Sequence, residues 1–97
     1  MRWTLAILGL VACGEPALEH ELQAKYDKSC AACHEAGAAD APRRGDSEDW
    51  APRLARGEDA LFTSVSDGMV SMPPGGMCAD CTDDELRLLI RHLAGVR

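Results

Sequence analysis

The stretch Cys30-Ala31-Ala32-Cys33-His34 constrains this chain of 97 residues more than any other. In a C-x-x-C-H pattern two thiols stand about one helical turn apart and an imidazole follows at once, the arrangement by which a chain attaches a c-type haem. Each thiol adds to a haem vinyl group, and the histidine becomes the proximal iron ligand. Two other uses of a cysteine pair compete with this one. A dithiol redox pair belongs in a βαβ setting, whereas the flanks here are helical and alanine-rich. Half of a zinc ribbon would require its second pair roughly 15–20 residues away, and 44 residues separate Cys33 from Cys78.

A haem would also answer a difficulty of size. Chains this short support one domain with a small core and usually need a staple, and only 4% of these residues are aromatic. A covalent macrocycle supplies the missing apolar centre. The formal net charge of −6 disfavours nucleic acid, whose phosphates repel an acidic surface. It favours protein partners with basic faces.

Met1-Arg2 precedes an uncharged apolar run from Trp3 to Ala12. The run is too short for a membrane span and reads as a secretory signal. Its end, Leu10-Val11-Ala12-Cys13, resembles a bacterial lipoprotein signal, which implies cleavage before Cys13 and a lipid on its sulfur. The organisation expected is a signal peptide over 1–12, a lipidated N-terminus and tether over 13–17, and a haem domain over 18–97. Export agrees with the cysteine usage, since disulfides persist outside the cytoplasm.

Pro16 suits the first turn of a helix, and Leu18, Leu22 and Tyr26 recur at helical spacing, so a helix should run its apolar stripe up to Cys30. His20, between two glutamates, is read as exposed. Residues 35–46, rich in Gly, Ala, Pro and Arg, should form a loop around the proximal face. The histidine needs a carbonyl on its second nitrogen. Pro42 either presents that carbonyl or is a plain turn proline. Ser47 is expected to cap a short helix through Trp50 and Leu54, and Glu58 to open another that ends near Gly68. Trp50 either donates its indole N–H to a haem propionate or simply packs in the core. Arg43, Arg44 and Arg53 either pair with propionates or remain solvated.

Met69 to Met77 holds three methionines in a Pro/Gly-stiffened loop. A thioether is a soft neutral ligand, and a His/Met pair raises the potential of haem iron. Met72 is the expected ligand because Pro73 and Pro74 pin the backbone behind it, leaving Met69 and Met77 to pack or lie exposed. For Cys78-Ala79-Asp80-Cys81 a local disulfide is the simplest fate in an oxidising compartment, with a reversible redox pair as the alternative. Thr82-Asp83-Asp84-Glu85 is a capping box. Leu86, Leu89, Ile90 and Leu93 then mark an amphipathic C-terminal helix, expected to cross the N-terminal one.

Taken together, the run from Tyr26 through Cys30 to His34, Ala41 to Asp46 with Trp50, Gly68 to Gly76, and Cys78 to Leu86 resembles the class I c-type cytochromes, specifically the cytochrome c5-like group. The resemblance implies an all-α fold of three to five helices around one covalent haem c. It also implies His34 and Met72 as axial ligands and a Cys78–Cys81 disulfide. His92 stands where such chains commonly carry an aromatic residue. The expected function is a membrane-tethered carrier of single electrons, not an enzyme, serving membrane oxidoreductases or terminal reductases and oxidases from the bacterial periplasm. The alternative is a haem-based sensor or ligand-binding module with an open or displaceable sixth position.

Overall fold

The computed structural model describes residues 18–96, and the signal peptide and Cys13 expected above lie outside them. Among the described residues the chain forms α1 (His20–Lys28), α2 (Ala31–His34), α3 (Ser47–Leu54), α4 (Glu58–Asp67) and α5 (Asp83–Ala94), with short 3-10 turns at Ala38–Asp40 and Pro74–Met77. The fold is all-α, and among the described residues the one β-type contact is an isolated bridge between Met69 and Met72.

Apolar spacing decides how the helices meet. Leu22 and Tyr26 lie one turn apart on α1, and Leu89 and Leu93 one turn apart on α5. These four share a buried cluster with Cys30, Trp50 and Ala94, so the crossing of the two helices expected from sequence is the core of the molecule. Leu89, 1% exposed, is its most enclosed residue. The cluster reaches the haem-attachment motif directly through Cys30. His92 meets the edge of Tyr26 with ring centroids 5.2 Å apart, retaining a ring contact at this crossing.

The caps explain where the helices begin. The Thr82 hydroxyl accepts from Glu85 N at 3.1 Å while the Glu85 carboxylate accepts from Thr82 N at 2.9 Å. Both halves of the expected capping box are formed. At α3 the cap falls one residue earlier than expected: Asp46, not Ser47, accepts from Asp49 N, at 3.1 Å. A carboxylate at this position satisfies an orphan amide and also faces the positive end of the helix. At α4, Glu58 and Asp59 open the helix, and both pair with Arg87 of α5 while Glu58 also holds Arg91. Arg87 and, in the last turn, Arg91 thereby tie α4 to α5.

Lys25 links parts of the chain that are far apart in sequence. Its ammonium donates to the Asp80 carbonyl at 2.8 Å and to Glu85 at 2.9 Å. One side chain on α1 thus holds both the Cys78–Cys81 turn and the first turn of α5.

Candidate haem site

Cys30 caps the single turn of α2, which carries Cys33 and ends in His34. The backbone closes normally across it, with His34 N donating to Cys30 O at 3.0 Å. Helical rise places the two thiols on one side of that turn. Cys30 is buried and Cys33 half-buried, and neither is in a disulfide. Burial pushes the Cys30 thiol above its ordinary pKa, against a weaker opposing contact from Ser29. A reactive dithiol needs the reverse, a lowered thiol pKa, so the environment argues against the redox-pair reading of this motif. Zinc is no better served, since among the described residues no three His, Cys, Asp or Glu side chains gather as a metal site.

The buried His34 ring, 6% exposed, is held through one nitrogen. Its Nδ1–H donates to the Pro42 carbonyl at 2.7 Å. A carbonyl can only accept, so the proton sits on Nδ1 and the lone pair on Nε2 is left for a metal. The Trp50 ring lies alongside with centroids 6.1 Å apart and planes 30° apart. Its indole N–H, which one expectation gave to a propionate, donates instead to the Arg43 carbonyl at 2.8 Å. Two of the three arginines are engaged by protein groups as well: Arg44 pairs with Glu35 at 2.6 Å and Arg53 donates to the Asp49 carbonyl at 2.5 Å.

Glu35 also accepts from the Tyr26 hydroxyl. Arg44 first, then Tyr26, lower its carboxyl from 4.5 to about 2. Tyr26 is shifted upward, first by burial and then by that same carboxylate. The folded-state value of Glu35 is depressed, so its contribution to stability is complete above the unfolded value of 4.5 and is lost as pH falls toward about 2. Because the pair is substantially exposed, solvent weakens the effect. Urea midpoints measured through that interval should fall in the wild type and fall less steeply in Glu35→Gln.

Met72, the expected thioether ligand, lies on the loop that follows α4. Met69 N donates to Met72 O at 3.0 Å and Met72 N to Met69 O at 2.7 Å, closing a tight turn with Val70 at its tip. Met72 is half-buried, whereas Met69 is 46% and Met77 75% exposed. The turn is followed by the Pro74–Met77 3-10 turn and the Cys78–Cys81 disulfide, whose Cα atoms are 5.4 Å apart. Two free thiols on one helical turn, an imidazole with Nε2 available, and a loop-borne thioether make a donor set that fits a covalently attached haem.

Residues 17–93 match the family described as cytochrome c oxidase, cbb3-type, subunit III. Cytochrome c5 of Ectopseudomonas mendocina is 44% identical over 71 residues, covering 71% of this chain and 82% of that protein. Cytochrome c5 of Azotobacter vinelandii is 42% identical over 78 residues, covering 78% and 90%. The chain belongs to the class I c-type cytochromes and is c5-like. The cytochrome carries one covalently bound haem c and is an electron carrier. Its fold superimposes on a mono-haem ferrocytochrome c from Shewanella putrefaciens with TM-score 0.70 and 43% identity, covering 84% of this chain and all of that one. A chain in the electron transfer complex of nitrite reductase with cytochrome c gives TM-score 0.70 at 36% identity, covering 80% and 95%.

Sequence reasoning anticipated the Pro42 carbonyl against His34 and the Cys78–Cys81 disulfide. It missed Glu35 and Lys25 as structural groups. Glu35 follows the motif immediately and precedes Arg44 by nine residues, a separation that carries no periodic signal.

Proposed function

We propose that this cytochrome is an exported, lipid-anchored carrier that shuttles single electrons to and from membrane oxidoreductases or terminal reductases and oxidases, and performs no bond chemistry itself. The observation that carries the reading is the His34–Pro42 contact beside two free thiols, because it prepares one neutral imidazole for a metal and fixes the ring in place. Bound haem c supplies an iron that accepts and returns one electron. In this reading Cys30 and Cys33 would hold the macrocycle, and His34 and Met72 would ligate the iron. Two protein ligands would leave no position for a small molecule, which separates a carrier from a sensor. The nitrite reductase complex of the structural relative supports a protein partner, as does the oxidase subunit described for the matching family.

The domain limits proposed are a signal peptide over 1–12, a tether over 13–17 and the cytochrome domain over 18–97. Among the described residues no helix is long and apolar enough to cross a membrane. The proposed anchor is the lipid on Cys13, supported by the apolar run that ends there.

Mixing the reduced holoprotein with carbon monoxide tests the carrier reading, which requires an unchanged spectrum at neutral pH. Rapid binding would transfer the protein to the sensor class. The tether has its own test. Cys13→Ser should move the protein from the membrane fraction to the aqueous one while its haem spectrum stays the same, and undiminished membrane retention would eliminate the lipid anchor.

A further inference from the structure

The segment Pro42–Gly45 crosses the proximal side of the site with its backbone groups held at consecutive positions. The Pro42 carbonyl accepts from His34 Nδ1 at 2.7 Å. The Arg43 carbonyl accepts from Trp50 Nε1 at 2.8 Å and from Asp46 N at 3.1 Å, so both of its lone pairs are in use. Arg43 N donates to Asp49 at 3.2 Å. Arg44 N donates to His34 O at 2.8 Å, and Gly45 N to Leu93 O at 2.7 Å. Gly45 stands at φ 73°, which lets the chain turn from Arg43 into the cap of α3.

We infer that Trp50 is a positioning residue for the proximal ligand: by holding the Arg43 carbonyl it fixes the adjoining Pro42 carbonyl against His34 Nδ1–H. The two carbonyls belong to adjacent planar peptide units joined only through the Arg43 torsions, so holding one restricts the range of the other. The indole N–H is the group that matters. The ring beside His34 supplies packing, and a phenyl ring would supply much of that. The carbonyl contact raises the basicity of the imidazole, which favours the oxidised iron. Loosening it should therefore raise the reduction potential. This inference rests on His34 being the axial ligand, and it departs from a role for Trp50 as donor to a propionate.

The test compares wild-type and Trp50→Phe holoproteins by three readouts: exchange of the His34 Nδ1 proton followed by NMR, the reduction potential, and the pH dependence of that potential. Loss of one neutral hydrogen bond should speed the proton exchange about fivefold to tenfold. The potential should move upward by a similar amount at every pH. Unchanged exchange and potential would reduce Trp50 to packing. A change confined to the pH dependence, with exchange unaltered, would return the indole to a propionate. Both outcomes overturn the inference.

If Trp50→Phe does not mature, wild-type protein labelled at the Arg43 carbonyl decides the matter. A scalar coupling between Trp50 Nε1 and that carbon supports the contact, and its absence with rapid indole exchange overturns it. Failure of the underlying reading looks different, because the wild type itself would then lack the NMR signature of an iron-bound His34 imidazole.

Discussion

Replacing Met72 by alanine should abolish the weak long-wavelength absorption band of a methionine bonded to Fe(III) and allow the reduced protein to bind carbon monoxide. The reason lies in the segment that presents the side chain. Met72 closes a turn with two backbone hydrogen bonds to Met69, is followed by two prolines, and has its terminal methyl packed near Gly76, where an added Cβ would stand 3.4 Å away. A side chain in so constrained a segment has few alternative positions. The neighbouring methionines are poor substitutes, since Met69 and Met77 are both more exposed than Met72. Loss of the thioether should lower the reduction potential by more than about 59 mV, a tenfold change in a one-electron equilibrium. Titration of wild type and variant against a mediator set measures it. An unaltered band in Met72→Ala would place another sulfur on the iron.

The second large effect is expected from a residue with no side chain. Gly68 ends α4 at φ 83°, and a Cβ there would stand 2.8 Å from Pro74 N and 2.9 Å from Met72 O. Neither is the flexible tip of a side chain. Gly68→Ala must displace the backbone running from the Met72 carbonyl to Pro74, in addition to the roughly 1 kcal/mol or more that alanine incurs in a left-handed conformation. It should weaken or remove the same absorption band with all three loop methionines intact, and lower the urea midpoint. Gly57→Ala is the matched control, for Gly57 stands at φ 93° with nothing within 4 Å of the added carbon. It should show the loss of stability alone. Equal spectra for the two variants would show that the close approach at Gly68 does not govern Met72.

Local chemistry was legible wherever one short segment contained the whole signal. The C-x-x-C-H motif, the Thr82 to Glu85 cap and the Leu86, Leu89, Leu93 stripe each state their geometry within a few residues, because capping and helical periodicity are short-range effects. The crossing of α1 and α5 followed from two apolar stripes needing burial. What remained hidden depends on three-dimensional encounters. Lys25 looks like one more charge on a solvated helix face until Asp80 and Glu85 are brought to it. Trp50 offers one N–H, and sequence does not say whether a carbonyl or a carboxylate will meet it. The Arg43 carbonyl does so because the Arg43–Asp46 turn and α3 bring the two together. Ser47 was the expected cap because serine and aspartate satisfy the same amide; Asp46 reaches Asp49 N first in the chain.

The strap over His34 also dictates where the polypeptide can change length. Residues 38–40 are exposed, and the backbone hydrogen bond closing that turn runs between Ala38 and Ala41. Extra residues inserted there would enlarge a surface loop at small entropic cost. One residue added between Pro42 and Gly45 would put every later carbonyl and amide out of step with His34, Trp50 and Leu93 at once. Insertions and deletions should therefore be accepted just ahead of Pro42 and rejected within the next four residues, a boundary drawn by hydrogen-bond register.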